Sequence, residues 1–291
     1  MVARAASLLF FCALLIALTG ACGIASNQAG APVQTSHNSQ PSTTWVVLVD
    51  MSESTASARH DYVEALGRIL TAIRPGDSLS IVSIEKSSIE NSHYLYQGTF
   101  PHYVFVPGTP PNTDNPLLLD AFRRKEDQRR VLEQAKFDRA HQLAAEIRHV
   151  RTATTRTILT YRSPATDIFS ALQLSGALFS TTDEPRRLVI LTDGVVQTKQ
   201  VDFRRHPPTE SSIVRLARAQ RLHHELPFLH EARVLVVGAR LGSTSGFAQL
   251  SFAWSLYVNK YAGGRLQSRF FMSRLSDQLF QAWLRAGADG P

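Results

Sequence analysis

Trp45-Val46-Val47-Leu48-Val49-Asp50-Met51-Ser52-Glu53-Ser54 is the stretch that decides the fold. Five apolar residues in unbroken succession, three of them valines, predict a strand buried on both faces of a sheet. Asp50 then places a carboxylate at the end of that strand, and Ser52 and Ser54 follow at alternate positions in a loop. Downstream, Val63, Leu66, Ile69, Leu70 and Ile73 recur at helical spacing until Pro75-Gly76 stops the helix. Leu79 to Ile84 alternates as a second strand, and Tyr94 to Val106 reads as a third, entered through the polar turn Glu90-Asn91-Ser92. From Leu118 to about Val150 the chain is helical and charged, with Leu132, Ala135, Leu143 and Ile147 as inward positions.

The second half repeats the alternation. A helix follows Pro164-Ala165-Thr166-Asp167 and buries Ile168, Leu172 and Leu178. Leu188-Val189-Ile190-Leu191-Thr192 is another buried strand, ending at Asp193-Gly194. Ile213 to Leu222 is helical, Val234 to Val237 a strand, and Phe247 to Tyr261 helical up to Gly263-Gly264. A short strand at Phe270-Phe271 and an amphipathic helix around Leu275, Leu279, Trp283 and Leu284 complete the pattern. Strands alternating with helices predict an α/β fold, a doubly wound and mostly parallel sheet with helices on both faces.

The first residues do not belong to that core. Arg4 precedes an apolar run from Leu8 to Leu18, too short for a comfortable membrane span and laid out as a secretory signal peptide over residues 1–21. Leu18-Thr19-Gly20-Ala21-Cys22 resembles a bacterial lipobox, with the leucine one place further upstream than in the commonest version. That resemblance implies cleavage before Cys22 and a lipid on its sulfur, anchoring the chain to a bacterial membrane facing periplasm or exterior. Ordinary signal cleavage without a lipid is the alternative. Cys12 lies within the signal, so one cysteine would remain and no intramolecular disulfide could form. Residues 22–42, rich in Ser, Asn, Gln, Ala and Pro, read as a flexible tether. Residues 43–287 form the folded domain, with a helical insertion around 115–155. The formal net charge of +7 suits an anionic surface. Export, and the lack of any basic stretch interleaved with aromatics, speak against nucleic acid.

In open α/β sheets, ligands gather at the carboxyl ends of strands where the strand order reverses. Asp50 and Asp193 both end apolar strands and can project from that edge. Two bare carboxylates close together repel unless a proton or cation sits between them. The hydroxyls of Ser52 and Ser54, and of Thr166 ahead of its helix, add neutral oxygens. An all-oxygen set with two negative charges suits Mg²⁺, with Mn²⁺ or Ca²⁺ next. Zinc fits poorly, since no Cys or His accompanies the cluster.

These three segments carry a family resemblance. Asp50-Met51-Ser52-Glu53-Ser54 after a buried strand resembles the metal-ion-dependent adhesion site of von Willebrand factor A domains. Thr166-Asp167-Ile168 is similar to that site's threonine loop, and Leu191-Thr192-Asp193-Gly194 to its final aspartate loop, in the family's order. The resemblance implies that Ser52, Ser54 and Thr166 hold the ion directly or nearly so, and Asp50 and Asp193 directly or through water. It implies an open position filled by an acidic side chain of a partner protein, hence a binding module and not an enzyme. Asp167 and Glu53 beside the cluster read better as a helix cap or solvated acids than as ligands.

One departure from the family is the long connection between Val106 and Pro164, which carries Arg123, Arg124, Lys125, Arg129, Arg130, Lys136 and Arg139 among acids. A solvated helix with i,i+4 ion pairs is the plainer reading, a basic arm that selects an acidic partner or anionic lipid the sharper one. A hydrolase or phosphatase using the same cation to activate water is the functional alternative. Its only obvious general base is Glu53, and Ser52 stands where an aspartyl phosphatase would want a second acid. Gly242-Ser243-Thr244-Ser245-Gly246 has Thr at the centre, where a nucleophile elbow needs Ser, and reads as a loop and helix cap. His223, His224 and His230 lack a Glu-x-x-His companion, and Trp254, Tyr257 and Tyr261 read as core.

Overall fold

β1 (Thr44–Asp50) is inaccessible to solvent from Trp45 through Val49, and Asp50 nearly so. Successive side chains of a strand point to opposite faces, so a strand buried at every position is covered on both. In parallel it pairs with β2 (Ser78–Ile84) on one side and β4 (Arg186–Leu191) on the other. β5 (Arg233–Val237) continues in parallel beside β4, and the two-residue β6 (Phe271–Met272) beside β5. β3 (Tyr94–Thr99) closes the other edge antiparallel to β2, with a register shift between Ile81 and Val82. The order β3-β2-β1-β4-β5-β6 has one consequence for function. The chain leaves β1 for β2 on one side, then returns to the opposite side of β1 for β4. The winding therefore reverses between β1 and β4, and a crevice opens at their carboxyl ends.

This computed structural model describes residues 41–85, 92–100, 118–163, 167–196, 201–240 and 243–286, with only the backbone for 118–123. The signal region, Cys22, nearly all of the tether, positions 101–106 of the expected third strand, Thr166 and the side chain of Arg123 lie outside the described residues. What is described falls within one compact unit, Gln40–Pro291.

Four of the described helices begin at a residue whose side chain satisfies free N–H groups. α1 (Arg59–Thr71) continues a 3₁₀ turn, Glu53–Ala58. Asp167 caps α3 (Ile168–Ser180) by accepting from the N–H groups of Phe169 and Ser170, which confirms its reading as a helix cap. Thr209 and Ser212 form a capping box on α4 (Glu210–Leu222). Ser243 caps α5 (Thr244–Leu256), so the segment that mimics a nucleophile elbow is a helix start. Ser276 caps α6 (Asp277–Arg285). Trp254 and Tyr257 are core residues as expected, with Tyr257 opening a π-helical turn, Tyr257–Tyr261. Near the end of the chain Phe270 closes a 3₁₀ turn instead of entering the strand, and Phe280 joins Trp283 in the core.

α2 (Leu118–Thr160) departs most from expectation. Its 43 residues make a rod of about 65 Å and run past both 150 and 155. Residues 151–160 are threonine-rich, which argues for an earlier stop. The hydroxyls of Thr152, Thr154 and Thr160 instead bond back to the carbonyls four residues earlier, and Ile158 is fully buried. Leu143 and Ile147 pack on the core, Ala135 is half-buried, but Leu132 is 41% exposed and not an inward position. Its exposed apolar neighbours Val131 and Phe137 explain why. Phe137 comes five residues after Leu132, about 140° round the axis, so no single apolar stripe exists there to dock. Glu126 pairs with Arg129 at 3.0 Å and Glu133 with Lys136 at 2.9 Å, as a solvated helix would have them. Among the described residues no helix is long and apolar enough to cross a membrane.

Candidate functional site

The loop after β1 is built by its own hydroxyls and amides. The Ser52 N–H turns back to Asp50 Oδ1 at 2.9 Å. The buried Thr55 hydroxyl lies 2.9 Å from the carbonyl oxygens of both Asp50 and Ser52 and pins the chain as it enters the 3₁₀ turn. That fold brings Ser52 Oγ and Ser54 Oγ within 3.0 Å of each other, Ser52 half-buried and Ser54 exposed.

The segment after β4 supplies the other side. The Thr192 hydroxyl donates to Asp50 Oδ2 at 2.9 Å and accepts from the Gly194 N–H at 3.1 Å. Asp193 Oδ1 accepts from the Val195 N–H at 2.9 Å. Gly194 has φ +78° and packs against Leu250, Phe271 and Trp254, whose indole N–H donates to its carbonyl at 2.9 Å. A side chain there would be strained by its φ and crowded by three neighbours. Asp50 and Asp193 are only 4% and 8% exposed. Burial, and after it the Asp193 charge, push the Asp50 carboxyl above the usual carboxylate range, against the hydrogen bonds from Ser52 and Thr192.

Two residues that sequence reasoning did not single out frame this pair. Arg59, 2% exposed, aims its guanidinium at four main-chain carbonyls. Nη2 donates to Met51 at 2.6 Å and Ser52 at 3.0 Å, and Nη1 to Ile158 at 3.0 Å and to Tyr161. With the Ser163 N–H on the Met51 carbonyl at 3.0 Å, it ties the loop after β1 to the end of α2. Tyr62, fully buried one turn into α1, has a hydroxyl with no hydrogen-bond partner among the described residues. Burial and the Asp50 and Asp193 charges all push its pKa up. A Cβ on Gly238 at the end of β5 would come within 2.4 Å of the Tyr62 ring, so glycine there makes room for the tyrosine. An arginine at the first position of α1 and a tyrosine three residues later carry no sequence signal of their own. The carbonyls that Arg59 addresses, and the carboxylates near Tyr62, become visible only in the fold.

The donor set fits a small hard cation. Asp50 Oδ1 accepts the Ser52 N–H and Oδ2 the Thr192 hydroxyl, and a carboxylate has about four lone-pair sites in all. Ligands side by side in an octahedral Mg²⁺ shell with bonds of about 2.1 Å stand about 3 Å apart, which is the spacing of the two serine hydroxyls. Among the described residues no group of three or more His, Cys, Asp and Glu is placed to hold a metal. Two carboxylates with hydroxyls is therefore the composition on offer. Asp50, Ser52, Ser54 and Asp193 lie at the crevice, and Thr166 lies outside the described residues. The next residue, Asp167, has its N–H on the Glu85 carbonyl just past β2, at the same edge of the sheet. Glu53 is exposed, as are His223 and His224.

No protein-family profile matches the chain. No curated protein matches its sequence. Among solved structures it is similar to a von Willebrand factor type A protein from Catenulispora acidiphila, at 11% identity and a TM-score of 0.41, over 84% of this chain and 41% of that one. It is similar to the pilus adhesin SpaC from Lactobacillus rhamnosus GG in its open conformation, at 12% identity and a TM-score of 0.41, over 87% of this chain and 30% of the adhesin. An aerotolerance-related membrane protein from Bacteroides fragilis is similar at 12% identity and a TM-score of 0.36, over 85% and 97%. The chain thus spans less than half the length of the first two.

Proposed function

We propose that this chain is a divalent-cation-dependent protein-binding module that works outside the cytoplasm. Asp50, Ser52, Ser54, Thr166 and Asp193 hold Mg²⁺, or Mn²⁺ or Ca²⁺ in its place. An acidic side chain of a partner protein completes the coordination. A lipid on Cys22 tethers the module to the cell envelope.

One observation carries this reading. The structure puts two buried carboxylates on either side of the point where the sheet winding reverses, with a pair of serine hydroxyls beside them. Buried like charges are costly without a counter-ion, and two carboxylates only balance a divalent cation, which leaves it able to attract a third. Resemblance to the metal-ion-dependent adhesion site, read from the three sequence segments, points the same way. Hydrolysis at this site would need a general base beside the ion. Glu53, the candidate for that role, faces solvent.

The test is a calorimetric titration of Mg²⁺ into EDTA-stripped protein, for the natural chain, Asp50→Ala and Ser52→Ala. Saturable binding that both variants lose is the expected result. A crosslinking capture from native envelope should then recover a partner that EDTA and either variant release. Heat absent from the natural chain, or unchanged in the variants, refutes the cation site. Capture indifferent to EDTA refutes the bridge.

A further inference from the structure

At the opposite edge of the sheet, a row of residues runs across the amino ends of three adjacent parallel strands. Trp45 on β1 stands beside Arg187 on β4, and Arg187 beside Arg233 on β5. Residues in register share a face, so all three side chains leave the sheet together. Trp283 from α6 meets Trp45 edge-on at 6.0 Å, and both indoles are buried. The guanidinium carbon of Arg187 lies 4.6 Å from the centre of the Trp45 ring and 5.8 Å from that of Trp283. That of Arg233 lies 5.4 Å from the Trp283 ring. Two half-buried guanidinium groups therefore sit on an aromatic floor.

Their charges are poorly answered. Arg233 donates from Nη1 to the Leu284 carbonyl at 3.2 Å, and its buried Nη2 has no hydrogen-bond partner among the described residues. The Arg187 guanidinium has the two indole faces but hydrogen-bonds no acceptor among the described residues. The acid of the cluster is Asp77, 2% exposed, and three other donors already hold it. The Thr43 N–H reaches it at 2.8 Å, the Arg74 N–H at 3.0 Å and the Trp45 indole at 3.1 Å. Burial first, then the neighbouring Arg233, push Arg187 down to about 10, with Asp77 opposing and Arg74 adding to the fall. Among the described residues, Asp77 is the carboxylate that offsets the Arg187 charge, without a hydrogen bond to it, while burial alone bears on Arg233. Stacking on indoles relieves part of this, but cation–π attraction supplies no hydrogen-bond acceptor. A guanidinium is a planar fork of five N–H donors whose natural complement is an oxyanion.

We infer that Arg187 and Arg233, floored by Trp45 and Trp283, form a binding site for a phosphate-class oxyanion, free or carried on a lipid headgroup. It lies at the edge of the sheet away from Asp50 and Asp193 and is independent of the cation proposed there. A tetrahedral oxyanion offers an edge to each fork, and it neutralises both cations together.

The indoles beneath the arginines report on occupancy. Inorganic phosphate is titrated into the protein in EDTA at constant ionic strength balanced with NaCl, and tryptophan fluorescence is followed. A saturable change is expected, at least about 10-fold weaker in Arg187→Gln and in Arg233→Gln, as loss of a charged hydrogen-bond donor predicts. Arg187→Lys and Arg233→Lys keep the charge without the fork and should fall between. They serve as the test if a Gln variant loses its far-ultraviolet circular dichroism. Phosphatidylglycerol vesicles that displace phosphate from the natural chain assign the headgroup as the source, and vesicles without effect assign the free anion. A response that chloride reproduces, or phosphate affinity unchanged in all four variants, overturns the proposal.

Discussion

Thr192 on the β4 side donates its hydroxyl hydrogen to Asp50 Oδ2 on the β1 side, 2.9 Å away, across the line where the sheet reverses its winding. The two strands that part to form the crevice are thus latched by a side chain at its base. The same oxygen of Thr192 accepts the Gly194 N–H, so one hydroxyl sets both the Asp50 carboxylate and the turn that carries Asp193.

Thr192→Val keeps the shape and removes the latch. It leaves a buried carboxylate oxygen and a buried N–H each short of a partner, a loss of about 1–3 kcal/mol. The urea midpoint should fall with an unchanged denaturant slope, and Mg²⁺ affinity should fall with it. A midpoint equal to that of the natural chain would show that Asp50 is held without Thr192.

Burial, and then the charge of Asp193, raise the Asp50 pKa above its ordinary value. A carboxyl whose folded pKa exceeds its unfolded one adds stability in full below the unfolded pKa and loses it as pH rises through the folded value. Asp77 and Asp167, also raised by burial, act with the same sign. The cation-free protein should therefore lose stability as pH climbs from about 4 through the weakly acidic range. Asp50→Asn should make that loss smaller. Mg²⁺ competes with the proton, so the melting temperature gained on adding it should widen over the same climb. At a hundredfold excess over its dissociation constant the gain is about 2.7 kcal/mol. Melting curves from about pH 4 to 8, in EDTA and in Mg²⁺, decide it. A gap that stays constant with pH sets aside Asp50 as the titrating group.

Strands and their direction were legible because burial on two faces writes itself as unbroken apolar runs, as in Trp45–Val49 and Leu188–Leu191. Asp50 and Asp193 were legible because each ends such a run. The crossing hydrogen bond from Thr192 was not, since strand adjacency is a property of topology and β1 and β4 are far apart in sequence. The reach of α2 was hidden for a local reason. Threonines that look like helix breakers satisfy themselves on the preceding turn, and the stripe that buries Val150 and Ile158 does not extend back to Leu132. The row Trp45, Arg187, Arg233 was equally invisible before the register of three strands was known.

Arg59 joins the loop after β1 to the far end of α2 through four carbonyls, while the described side chains of α2 from Arg124 to Arg139 are mostly exposed. Arg59→Met removes every one of those donors from a buried site and should cost about 3 kcal/mol or more. It should also speed amide exchange from Ile158 to Ser163. Leu132→Gln and Phe137→Gln, on the exposed half, should each change stability by less than about 0.5 kcal/mol. Comparable losses from both kinds of substitution would mean that the exposed half packs against something after all.

Tyr62 carries a fully buried hydroxyl with no partner among the described residues, near two carboxylates it does not hydrogen-bond. A buried polar group without a hydrogen bond costs about 1–3 kcal/mol, and phenylalanine fills the same space without it. Tyr62→Phe should therefore stabilise the protein in EDTA by about 1 kcal/mol, raising the melting temperature. Gly238→Ala, which drives a methyl group into the Tyr62 ring at a φ of +101°, should do the reverse and by more. If Tyr62→Phe instead lowers the melting temperature in EDTA, the hydroxyl is bonded to an ordered water beside Asp50 and Asp193. The same pair of measurements in Mg²⁺ then tells whether that water belongs to the cation.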